Sequence, residues 1–212
     1  DVVVAMLRRT VGDDVEVAGA LLRHAEGRLA LGQEKEAELE LENAARVFPS
    51  YPPLVGAYAE RVVVRAIRLN RAFDRSRPLA IIGRALTIIE HPRLYRMQGR
   101  LMTIRGAGTP QQILAAFDKA VSLHGATLAR SLAFRAEHLA RTGEVARARR
   151  DIQQALEFAR KDGLVFAVCA SACMELKEPA GRVLQLMNLA TQLGIDDELN
   201  YASGFYWAKA VV

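Results

Sequence analysis

The residues that could do chemistry in this 212-residue chain are few and scattered. Its four histidines, His24, His91, His124 and His138, stand far apart. A general base or a metal ligand needs partners converging on one pocket. No His-Glu-x-x-His pair and no Gly-x-Ser-x-Gly elbow occurs. Cys169 and Cys173 are four apart, which places them on one face of a helix. That spacing disfavours a clean disulfide, and no further Cys or His lies near enough to complete a zinc site. They read as small buried hydrophobes. The run Gly106-Ala107-Gly108-Thr109 lacks the lysine and the spacing of a phosphate-binding loop. Its backbone could hold an anion at a helix start, but a capped turn is the simpler reading. No enzymatic activity, no cofactor and no metal are therefore expected.

The charged residues are more informative. Lysine and arginine total 29 against 24 acidic residues, a net charge of +5, and arginine dominates the basic set. An anionic partner would produce such a bias, and so would the codon usage of a GC-rich, bacterial-looking genome. Arg61, Arg65 and Arg68 are spaced three and four apart, share one helix face, and lead on to Arg71, Arg75 and Arg77. This stripe can meet phosphate or an acidic protein. It can also be solvated or pair with the acidic run Glu34 to Glu42, and these readings are preferred. Arg147, Arg149 and Arg150 stand at a helix start, where cations oppose the dipole. Stability gives no evident reason for that cluster, which makes Arg147 and Arg150 the better candidates for an external contact. Phe205, Tyr206 and Trp207 read as packing for a following helix, or as an exposed binding patch.

What must position these residues is a set of helices. Apolar residues recur at three and four, and no period-two run is long enough for a sheet. The pattern predicts helices over 15–31, 34–47, 53–70, 78–89, 93–104, about 109–124, 127–141, 144–160, 164–176 and 179–193. A last helix covers 198–212, and Val2 to Leu7 could be the tail of an earlier one. Thr109-Pro110-Gln111-Gln112 predicts a capping box with proline in the first turn. No apolar run reaches the length that spans a bilayer. No linker-like stretch divides the chain, so one domain over 1–212 is expected. The chain starts at Asp1 without a methionine and stops within an apolar pattern, so it is expected to be a piece of a longer protein.

The hairpins repeat. Leu132, Ala136, Gly143, Ala148, Ile152 and Ala155 have the same spacing as Leu21, Ala25, Gly32, Ala37, Leu41 and Ala44, and Pro49 closes the earlier set. This resembles the tetratricopeptide repeat of about 34 residues. Units fall near 18–51, 59–92, 93–125, 129–162 and 163–196, with the second, third and fifth degenerate. The third keeps Gly99, Phe117 and Ala120. The resemblance implies an all-α, right-handed superhelix of about five helix pairs. Small residues lie where helices cross, and bulky ones fill the space between hairpins, because a single hairpin cannot bury its apolar face alone.

The resemblance also implies a function. The first helix of each unit would line a concave groove that takes a peptide or helix of another protein. Groove-facing candidates are Leu22, Glu26 and Leu29 in the first unit, and Arg130, Ala133, Glu137 and Arg141 in the fourth. Leu22 and Glu26 replace the lysines and asparagines with which one family subtype clamps a C-terminal carboxylate, so a receptor of that kind is not expected. The reading is a scaffold or adaptor domain with a protein or peptide partner. Its apolar tail could equally pack on further helices or a second copy. The alternative is a helical-repeat nucleic-acid binder using arginine-rich faces. Few aromatics are placed to stack bases and no matching polar residue recurs in every unit, which weighs against it. A third reading is a sensor arm that binds a small effector. Cytoplasm and periplasm both fit, with a slight preference for the first.

Overall fold

The structure is a computed structural model that describes residues 14–69, 74, 76–104, 107–159 and 161–194. The expected helix tail at Val2–Leu7, the terminal helix over 198–212, the cluster Phe205 to Trp207, and Arg71 and Arg75 lie outside the described residues. So does the side chain of Arg68.

The described residues form ten helices and no strand: α1 (Asp14–Ala30), α2 (Glu34–Val47), α3 (Pro52–Leu69), α4 (Ser76–Leu86), α5 (Pro92–Thr103), α6 (Pro110–Ser122), α7 (Leu128–Arg141), α8 (Val145–Phe158), α9 (Gly163–Glu175) and α10 (Ala180–Leu193). Local chemistry explains the ends. Gly32 and Gly143 take φ of 75° and 84° between the helices of the first and fourth pairs, a backbone region that side chains resist. Thr109 forms the predicted capping box. Its hydroxyl accepts from the Gln112 N–H at 3.2 Å, and the Gln112 side-chain oxygen accepts from the Thr109 N–H at 2.9 Å. Asp162 accepts from the Leu164 N–H at 3.2 Å and caps α9.

Consecutive helices pair as five hairpins: α1 with α2, α3 with α4, and so on to α9 with α10. Each odd-numbered helix also packs on the odd-numbered helix of the next pair, whereas among the described residues no even-numbered helix packs comparably on the next even one. The odd helices therefore form the inner layer of the array. The second pair begins at Pro52, ahead of the unit start expected near 59, because α3 runs for 18 residues.

Packing follows the repeat. Ala25, Ala136, Ala37 and Ala148 are fully buried at the crossings. Leu41 and Ile152 are buried between hairpins, each contributing about 1.5–3 kcal/mol of transfer free energy. Gly99 stands at the matching crossing of the third pair. A Cβ there would come within 2.8 Å of the Phe117 ring, so no side chain fits without a shift. The core has two large parts, one from α1 to α5 and one from α6 to α10. Cys169 and Cys173 are buried free thiols in the second, and burial raises the pKa of both. No described helix is long and apolar enough to cross a membrane.

Candidate partner-binding groove

Most of the predicted site residues turn out to be staples between hairpins. Arg65 pairs with Glu38 at 2.6 Å and Arg61 with Glu34 at 3.8 Å, while Arg77 reaches Glu42 at 3.4 Å. Glu34, Glu38 and Glu42 are one turn apart on α2, so the acidic helix and the arginine stripe meet edge to edge, as the intramolecular reading required. Burial pushes the Glu38 carboxyl above its usual range, against the pull of Arg65 and Arg61.

The fourth pair shows the same pattern at one-unit separation. Arg130 grips Asp162 through Nε at 2.5 Å and Nη2 at 3.3 Å. Glu137 is buried, accepting from Arg141 Nη2 at 2.7 Å and from the Ser171 hydroxyl at 2.6 Å. Arg141 also reaches Glu175 at 3.3 Å. Ala133 is fully buried, and Leu22 and Leu29 are half-buried. Glu26 is exposed on α1.

The cluster on α8 has partners that helix-dipole reasoning did not reveal. Arg147 pairs with Glu144 at 2.7 Å and with Asp118 at 3.5 Å, and Arg149 pairs with Glu178 at 2.8 Å. Asp118 and Glu178 come from neighbouring hairpins, so these two cations bridge between hairpins. Arg150 is exposed and makes no ion pair among the described residues. The histidines also act locally. His24 meets Glu40 at 2.6 Å. His138 Nε2 stands 3.0 Å from the Pro110 carbonyl; a carbonyl only accepts, so that nitrogen carries the proton. Among the described residues no group of His, Cys, Asp and Glu could hold a metal.

The sequence reading missed the polar centre of the inner layer. Aligning Gly99 with Ala136 puts Arg93, Arg96 and Arg100 of α5 at the positions of Arg130, Ala133 and Glu137 of α7. Arg93 binds Glu60 of α3, with Nη2 at 2.7 Å from Oε2 and Nε at 3.3 Å from Oε1. Arg100 lies over the Phe134 ring, with Cζ 4.3 Å from its centroid, a cation–π contact. Arg96 is only 1% exposed. Its Nη2 is 3.8 Å from Glu60, and its Nε and Nη1 are buried without a hydrogen-bond partner.

The electrostatics follow from the geometry. Burial pushes the Arg96 guanidinium down to about 9; Glu60 opposes this, and Arg100, Arg130 and Arg93 add to it. Burial raises the Glu60 carboxyl, but Arg93, Arg96 and Arg100 prevail and hold it below the ordinary range. The guanidiniums of Arg93, Arg100 and Arg130 thus stand close enough to act on Arg96, with Arg93 paired to Glu60 and Arg130 to Asp162. Beside Arg130 a cleft of about 430 Å³ opens, lined also by Phe158, Lys161, Asp162 and Leu193.

No protein-family model matches the sequence, and no curated protein matches it. Solved structures do match in fold. The structure reported for Pseudomonas aeruginosa pilF superposes with a TM-score of 0.61 at 16% identity, covering 93% of this chain and 88% of that one. A tetratricopeptide repeat protein from Parabacteroides merdae gives 0.56 at 12% identity, covering 98% and 82%. YrrB, described as a tetratricopeptide repeat protein with an unusual peptide-binding site, gives 0.50 at 14% identity, covering 94% and 95%. The repeat spacing, the five hairpins and these superpositions agree: the chain has the tetratricopeptide-like helical-repeat fold.

Proposed function

We propose that this chain is an interaction scaffold that binds a partner protein or peptide along the face of its odd-numbered helices. The observation that carries the reading is the layering. Odd helices stack on odd helices across successive hairpins, so they form one layer that runs through all five units. An extended partner can contact several units at once, which is how repeat arrays gain affinity without a deep pocket. The peptide-binding site ascribed to YrrB, a protein of the same fold, supports the reading by analogy.

A tagged pull-down from source cells, run with and without nuclease and read by mass spectrometry, tests it. Retention of the same few proteins after nuclease treatment is the expected result. Loss of the bound material with nuclease or at moderate salt would replace the scaffold reading with nucleic-acid binding.

A further inference from the structure

We infer that the cleft between the fourth and fifth hairpins is a separate binding site, which takes a small molecule carrying one aromatic ring and one carboxylate. The inference goes beyond the partner-binding reading and does not rest on it.

The cleft forms where helix ends meet. Arg130 and Leu164, from the first turns of α7 and α9, line it together with Phe158 and Leu193, the last residues of α8 and α10. Its volume of about 430 Å³ falls within the range of small-molecule sites, roughly 300–1,000 Å³. Ala126, Ala129 and Ala159 complete much of the lining, and none of them carries more than a methyl group to fill the space.

Two lining residues set the ligand class. Phe158 is 53% exposed. A single exposed apolar residue means little by itself. This one lines a concavity whose other apolar walls are Leu164 and Leu193, so its ring is placed to stack on a flat apolar group. Lys161 is exposed and makes no ion pair among the described residues. The one acid of the lining, Asp162, is already held. It accepts from Arg130 Nε at 2.5 Å and from the Leu164 N–H at 3.2 Å. The Lys161 ammonium is thus left for an anion from outside, and one ammonium matches one carboxylate. A phosphate ester fits less well. The only other cation of the lining, Arg130, is engaged by Asp162, and that carboxylate is 25% exposed, where it repels a dianion.

The test titrates the whole isotope-labelled chain, followed by two-dimensional NMR, with three probes. They are hydrocinnamate, its neutral amide, and propionate, which lacks the ring. Hydrocinnamate should move the amide signals of Lys161, Gly163 and Gly194 saturably. It should bind at least threefold more tightly than either control, with affinity falling as salt rises. Lys161→Glu should weaken it at least tenfold and Phe158→Ser at least threefold. Arg150→Ala, outside the lining, should leave it unchanged. The comparison of the three probes on the wild-type chain needs no variant. Equal affinity for hydrocinnamate and its amide, unchanged affinity in Lys161→Glu, signals that move only elsewhere, or no saturable shift would each overturn the inference. An N-acetylated tripeptide ending in phenylalanine that binds at least tenfold more tightly than hydrocinnamate would do so too, by assigning the cleft to a peptide terminus. The pull-down reads protein partners and this titration reads the cleft, so either reading can fail while the other stands.

Discussion

Replacing Arg96 by methionine should make the protein more stable. The wild-type side chain brings a cation into the inner layer with two donors unfilled. Each unfilled buried donor costs about 1–3 kcal/mol. The three neighbouring guanidiniums add repulsion. What the substitution removes is small, since the contact with Glu60 is 3.8 Å and Arg93 continues to hold that carboxylate. Methionine keeps most of the side-chain volume and adapts to irregular space. Exchange of a poorly paired buried charge for an apolar side chain typically gains about 1–4 kcal/mol. For a chain of this size each kcal/mol corresponds to roughly 2–4 °C in melting temperature. Urea unfolding followed by circular dichroism at neutral pH measures the difference. Midpoints are the quantity to compare, because repeat arrays can unfold unit by unit. A midpoint for Arg96→Met that falls by the equivalent of more than about 1 kcal/mol would refute the reasoning, because it would mean that the charge is well paired.

Gly99→Ala should destabilise by about 1–3 kcal/mol, since the new methyl would meet the Phe117 ring at 2.8 Å; thermal melting checks it, and an unchanged melt would contradict the packing. The pKa values of His91 and His138 are lowered, first by burial, so the unfolded chain takes up protons before the folded one as pH falls below 6.5. Stability should therefore decline from pH 7 to pH 5, less steeply in His138→Gln, and equal urea midpoints at the two pH values would count against it. Arg150→Ala should change stability by less than about 0.5 kcal/mol, because the side chain is exposed and unpaired among the described residues.

Helix positions were legible in the sequence because glycine, proline and capping residues act locally. Thr109-Pro110 opens α6 as its residue types dictate, and Gly32 and Gly143 turn the chain where the repeat spacing put them. The pairing of Glu34–Glu42 with the α3 arginines was legible too, since both are periodic stripes on adjacent helices. Long-range partners were not. Arg149 meets Glu178, 29 residues away, and nothing local to Arg149 signals it. α9 hid its role for another reason. As an inner helix it is buried nearly all round, so its sequence has no polar face to read. The arginines of α5 lie in a degenerate unit that keeps only Gly99, Phe117 and Ala120 of the repeat pattern, so the repeat does not single them out. Gly99 fixed the register that would have lined Arg93, Arg96 and Arg100 up with Arg130, Ala133 and Glu137. Only burial shows that Arg96 is the incomplete one.

The central claim is that partners bind the odd-helix face. Site-specific photo-crosslinking in source cells tests it most directly. A benzophenone side chain would be placed at Glu26 on α1 or Glu175 on α9, and at Leu39 on α2 or Arg150 on α8 as outward controls, all exposed positions. The account predicts nuclease-resistant protein adducts from Glu26 and Glu175 and little from Leu39 and Arg150. Adducts confined to Leu39 or Arg150, or adducts that nuclease removes, would contradict it.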